Sequence, residues 1–308
     1  MLSDSLDAIV TPLAIGVAFL AAIGIVVWVL RRAVIATARH AAAEPLPEGW
    51  LRLLDRNVPA SRALTTAERV RLLQLSRDLI GRAHWEGCRG VVVDETMQLI
   101  IAAQACLMSL RIPGEQYENV REVLIYPSTF VPRPSCKRLV WMGTPDQKPQ
   151  ADLGQTWADG DMVLSWDSVK AGADDPHDGQ NVVYHEFAHL LADEHDLDPT
   201  HAKVPQIFGP PIQGQPDVPN PDQWNRVLSE SFDRLTKRLA AGEASVLGAY
   251  AATKFAEFIA VATEVFFEKP RALRAEEPEF YAQLSAFYRQ DPAATAAEPA
   301  PPNRNAAV

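Results

Sequence analysis

The pentad His185-Glu186-Phe187-Ala188-His189, set in VVYHEFAHLLADEH, constrains this chain more than any other segment. Residues four apart lie on one face of a helix, so a helical stretch here turns both imidazoles toward a single metal ion, each nitrogen at about 2.0 to 2.1 Å. Val182, Val183, Phe187, Leu190 and Leu191 fill the other positions with apolar side chains, which marks the helix as buried. Glu186 flanks the histidine face, where it can hydrogen-bond a water. Zinc in such a site acts as a Lewis acid, lowering the pKa of its water and polarising a carbonyl. A neighbouring carboxylate takes the water's proton and later delivers it to the leaving amine. The motif therefore points to hydrolysis of peptide bonds with one Zn2+ per chain.

A zinc hydrolase needs a third protein ligand and one position left open. His195 and His201 lie close downstream, but the GxxH continuation is absent. A carboxylate on the later stretch YAATKFAEFIAVATEVFFEKP is the better candidate. Glu257 and Glu264 stand there among Phe255, Phe258, Ile259, Val261, Val265 and Phe266, too apolar a setting for two casual surface charges. On spacing alone either can be the ligand. Tyr250, Glu257 and Glu264 are seven apart, which on one continuous helix drifts only about 20° per heptad and keeps all three on one face. His40, His84 and His177 read as solvated side chains.

The rest of the chain sets the context. Residues 9–30 carry no charge, and a helix of that length spans a hydrocarbon core of roughly 30 Å. Asp4 and Asp7 precede this run and Arg31, Arg32 and Arg39 follow it. A retained transmembrane anchor with its C-terminal side in the cytoplasm is therefore expected in place of a cleaved signal peptide. With 29 Lys+Arg against 39 Asp+Glu the net charge is -10, which disfavours non-specific nucleic-acid binding. Cys88, Cys106 and Cys136 form no CxxC pair, so neither a disulfide framework nor a thiolate zinc cage is expected. Residues 291–308 are Ala/Pro-rich and read as a disordered tail. Residues 1–45 then form the anchor and juxtamembrane segment, and 46–290 the folded body.

Within that body Thr65 and Glu68 make a capping box opening a helix through Ala83. Strands are expected at 91–93, 123–126 and 162–166, and helices at 95–110, 182–192, 222–240, 243–268 and 278–289. Helix outweighs strand, giving an α+β body with a small sheet packed against helices. Residues 196–221 hold seven prolines and read as a long loop beside the site.

Six blocks, in order, tie this chain to a known family: LPEGWLRLLDRNVP (46–59), MQLIIAAQACL (97–107), VLIYPSTF (123–130), GDMVLSW (160–166), NVVYHEFAHLL (181–191) and EFIAVATEVFF (257–267). The sequence resembles the Mlc titration factor A family of zinc metallopeptidases, whose catalytic core is similar to that of lethal-factor-type metalloproteases. The resemblance implies a mainly helical zincin-like body of the gluzincin kind, with His185, His189 and Glu257 as zinc ligands and Glu186 as general base. It also implies that Tyr250 hydrogen-bonds the oxyanion, with Glu264 as an outer carboxylate. Aminopeptidase activity is what the family suggests, and the strand before the zinc helix would pair with the peptide. A second implication is a regulatory zinc-containing protein that sequesters a transcriptional repressor, the activity for which the family's namesake is known. Two departures stand out: Ala192 occupies the position where the family usually has aspartate, with Asp193 beside it, and the N-terminal anchor is absent from the soluble members.

Overall fold

The computed structural model describes residues 45–114, 116–128, 161–199 and 221–295. The chain divides into two units, Met1–Pro47 and Glu48–Val308, and the architecture below is that of the second. The expected membrane span at 9–30, the greater part of the proline-rich loop, and the tail beyond Thr295 lie outside the described residues. Among the described residues no helix is long and apolar enough to cross a membrane.

The body is mainly helical with a small sheet. Helix α1 (Trp50–Asn57) leads through a 3-10 turn (Pro59–Ala63) into α2 (Thr66–Arg82). The start of α2 carries the expected reciprocal cap: Thr65 Oγ1 accepts from Glu68 N at 3.3 Å, and Thr65 N donates to Glu68 Oε2 at 2.9 Å. Arg111 Nη2 also reaches Glu68, donating to Oε1 at 2.6 Å. Thr65→Ala is expected to cost about 1 kcal/mol, to be read from the denaturant midpoint at unchanged m-value.

Strands β1 (His84–Gly87), β2 (Glu122–Tyr126) and β3 (Asp161–Ser165) form a parallel sheet in the order β1-β2-β3. Helix α3 (Glu95–Ser109) supplies the crossover between the first two and is buried along nearly its whole length. Two strands fall close to where the sequence places them, but the first is His84–Gly87 and not 91–93. The chain turns between them, with Arg89 and Gly90 in the left-handed region at φ 52° and 88°. This leaves Val92 in the open at 85% exposure. A Cβ on Gly87 would sit 2.0 Å from Val91 O, so the turn closes tightly on the strand end.

After β3 come α4 (Trp166–Asp174), α5 (Val182–Glu194), which carries the HEFAH pentad, and α6 (Pro221–Ala240). The single helix expected over 243–268 is instead a loop, a 3-10 turn at Tyr250–Ala252, and α7 (Phe255–Glu268). Gly242 and Gly248 adopt φ 77° and 68°, which a helix cannot accommodate, and Lys254 is extended. Pro270 and Pro278 then open α8 (Pro270–Glu276) and α9 (Pro278–Tyr288), as a proline can at a first helical position. The expected tail boundary also moves. A short helix, α10 (Pro292–Thr295), follows, with Ala293 buried, its amide donating to Tyr281 Oη at 2.9 Å. The core joins α7 to α9 through aromatic rings, Phe258 stacking on Phe280 at 4.9 Å and Phe266 on Tyr288 at 5.4 Å. Helix α5 packs between α3 and α7, which sets its histidines against the carboxylates of α7.

Candidate metal centre

Helix α5 starts where it does because Asn181 caps it, Oδ1 accepting from the amides of Val183 and Tyr184 at 3.1 Å each. Val183, Tyr184, Phe187, Leu190 and Leu191 go into the core, which leaves His185, Glu186 and His189 on the side facing α7. On α7, Phe258, Ile259, Ala262, Val265 and Phe266 are buried, and so are Glu257 and Glu264 at 7% and 8% exposure. Seven residues apart on one helix, the two carboxylates face the same way and take opposite ends of one imidazole. His185 Nδ1 donates to Glu264 Oε1 at 2.8 Å, while Nε2 lies 3.1 Å from Glu257 Oε2. His189 Nε2 comes within 3.6 Å of the same Glu257 oxygen.

Spacing on α7 leaves the third ligand open, and the geometry separates the two candidates. One nitrogen from each histidine and one oxygen of Glu257 form a group whose atoms all lie within 4.8 Å of one another. Around a tetrahedral zinc with bonds of about 2.0 to 2.1 Å, ligand atoms sit about 3.3 Å apart, and the observed 3.1 and 3.6 Å bracket that value. The donor set therefore fits a divalent metal. Glu264 lies behind His185, on its other nitrogen, and holds the tautomer that turns Nε2 toward Glu257.

The electrostatics agree with this division. Burial works to lower the His185 pKa, yet hydrogen bonds to Glu257 and Glu264 outweigh it and push it well above the usual histidine value. Burial works to raise Glu257, but the two histidines hold its carboxyl well below the usual range. Glu186, 8% exposed, is raised chiefly by burial and further by Glu257 and Glu264, against the lowering pull of His185 and His189. The Tyr250 ring lies 6.0 Å from that of His185. Burial, then the charge of Glu257 and a hydrogen bond to it, raise the phenol and keep it protonated. Tyr250 thus reaches the centre from the 3-10 turn rather than from a shared helix face.

Other histidines stand apart. His195 caps the C-terminal end of α5, with Nε2 2.7 Å from Gln116 Oε1 and its ring against Phe287. His84 and His177 are exposed. His84 joins Glu86 and Glu122 in a second group with metal-like spacing, but its members are exposed or half-buried on the sheet surface, without the buried carboxylate that stands behind His185. Ala192 is buried and Asp193 exposed, so the outer partner of the first histidine comes from α7 and not from the end of α5. Reading the sequence missed Asn181, Gln104 and Glu268, which surround the start of α5. Asn181 carried the local signal, a capping residue directly before an apolar run.

A pair of histidines one helical turn apart and a buried glutamate from a second helix, on a mainly helical α+β body, define the class of HExxH metallopeptidase-like proteins. The sequence model of the glucose-regulated metallo-peptidase M90 family matches residues 32–289, and the chain belongs to that family. It is 30% identical over 244 residues to Mlc titration factor A of Serratia proteamaculans, covering 77% of this chain and 86% of that one. It is 28% identical over 242 residues to Mlc titration factor A of Yersinia pestis, covering 77% and 83%. An uncharacterized protein of Synechocystis, slr2042, is 28% identical over 255 residues, covering 80% and 86%.

Proposed function

We propose that this chain is a zinc-dependent peptidase in which His185, His189 and Glu257 hold one Zn2+ and Glu186 is the general base. The observation that carries the proposal is the convergence of two Nε2 atoms on one Glu257 oxygen, with Glu264 bound to the far side of His185. Zinc held there supplies a Lewis acid that acidifies water and polarises a carbonyl. Glu186, raised by its burial, accepts the proton of the attacking water and passes it to the departing amine. Tyr250, its phenol kept protonated, donates to the substrate oxygen as negative charge develops there. Peptides are the substrate class, and an aminopeptidase mode is the narrower form of the proposal. Hydrolysis of a mixed peptide library by the full chain tests it: zinc-dependent cleavage is the expected result, and a zinc-loaded chain that cleaves nothing contradicts it.

Glu264→Ala removes the carboxylate behind His185 while leaving all three donors in place. Zinc affinity is expected to fall about 10- to 100-fold, as measured by competition with a chelating dye.

The Serratia and Yersinia relatives are called Mlc titration factor A, and that name favours a second reading in which this chain binds a transcriptional repressor of the Mlc kind. Glu186→Gln separates the two, because a repressor-binding function persists in that variant while hydrolysis does not. We also propose that residues 9–30 anchor the chain in a membrane as a single N-out span with the body in the cytoplasm. Protease added outside intact cells is then expected to leave the body uncut; digestion of the body would reverse the topology.

A further inference from the structure

The carboxylates of α7 do not stop at the metal centre. One turn beyond Glu264 stands Glu268, the last residue of the helix and only 4% exposed. Its Oε2 accepts from the backbone amides of Gly179 and Gln180 at 2.9 and 3.0 Å, and its Oε1 from Asn181 Nδ2 at 3.0 Å. Glu264 continues the series, Oε2 accepting from Asn181 N at 2.5 Å. Two side chains thus take three consecutive amides of the segment that leads into α5. Asn181 Nδ2 also donates to Gln104 Oε1 at 2.8 Å and Gly172 O at 3.3 Å. A Cβ on Gly172 would lie 3.0 Å from Asn181, so α4 closes on this residue as tightly as a glycine allows.

The placement runs against the preference of α7 itself. A carboxylate in the last turn of a helix faces the negative end of that helix's dipole, whereas one at the start of a helix is favoured. Glu268, in that last turn, therefore takes its hydrogen bonds from the segment opening α5 instead. The two glutamates are also in series with the proposed ligands. Glu264 divides its oxygens between Asn181 N and His185 Nδ1, so the position of the Asn181 backbone sets the plane of that carboxylate and, through it, the ring of His185.

Resting on the zinc reading above, we infer that Glu268 is a positioning residue for the metal centre, acting on His185 through the Gly179–Asn181 backbone and Glu264. Glutamine cannot replace it. The glutamate accepts three N–H groups, while an amide has one acceptor oxygen and must turn its NH2 against either Asn181 Nδ2 or the two backbone amides.

Zinc titration of the full chain is the test, with Co2+ absorption as a second readout of ligand geometry. Glu268→Gln is expected to weaken zinc binding about tenfold, the lower end of the effect of outer groups on a metal, and to shift the Co2+ spectrum. Glu268→Asp, which keeps both acceptor oxygens on a shorter arm, is expected to fall between the two and serves if the glutamine variant does not fold. Leu72→Ala, a core change on α2, is expected to lower thermal stability with zinc affinity and Co2+ spectrum unchanged, so lost stability alone cannot produce the result. Zinc affinity within twofold of wild type in both Glu268 variants overturns the positioning role while leaving the zinc reading intact. A wild-type chain that binds no zinc overturns the zinc reading and this inference with it.

Discussion

Glu186→Gln is expected to keep the zinc of the wild-type chain and to lower peptide turnover about 10²- to 10⁴-fold, the range for loss of one positioned acid–base group. The substitution preserves shape, but its amide exchanges one acceptor oxygen for an NH2 donor and cannot accept a proton at neutral pH. Glu186 is buried beside the two histidines, and burial raises its pKa from the ordinary glutamate value. A carboxylate held beside the metal site is placed to take a proton from water that a bound metal would acidify. Because the residue acts on the reacting atoms and not on substrate binding, the loss is expected in kcat, with KM little changed. Turnover equal to wild type at full zinc loading would remove Glu186 from the mechanism.

Glu257→Ala is expected to abolish tight zinc binding and with it all hydrolysis. Its carboxylate oxygen approaches both Nε2 atoms, at 3.1 and 3.6 Å, whereas Glu264 meets the opposite nitrogen of His185 and the Asn181 amide. The loss is therefore expected to exceed the roughly 10- to 100-fold effect of an outer carboxylate that is expected for Glu264→Ala. Thermal unfolding provides an independent check. A ligand present at 1,000 times its Kd stabilises the native state by about 4.1 kcal/mol, so a chelator should lower the Tm of the wild-type chain and leave that of Glu257→Ala unchanged. Full zinc occupancy in Glu257→Ala together with loss in Glu264→Ala would exchange the two roles.

What was legible in the sequence depended on the range of the interaction involved. The HEFAH helix could be read because its apolar positions recur at helical spacing. The start of α2 could be read because the Thr65–Glu68 cap is made by neighbours in the chain. Glu257 and Glu264 could be placed on one face because two helical turns fix their relation. Which of them meets the histidine nitrogens is decided by how α5 packs on α7, which spacing does not contain. The composition of 243–268 suggests one helix that includes Tyr250, whereas Gly248 in the left-handed region and the extended Lys254 interrupt it. The first strand was misplaced for a related reason. Val91, Val92 and Val93 have high β-propensity but pair with no strand among the described residues, whereas His84–Gly87, a poor strand by composition, pairs with β2 in parallel register. Glu268 gave no signal at all, because its partners lie nearly ninety residues away and are mostly backbone amides.

X-ray absorption at the zinc edge, on the full chain purified without added chelator, tests the central claim most directly. The expected result is one zinc per chain in a shell of nitrogen and oxygen, containing two imidazoles and a carboxylate, and lost when His185 and His189 are both changed to alanine. A shell containing sulfur, or zinc retained in that double variant, would place the metal elsewhere and contradict the assignment of His185, His189 and Glu257.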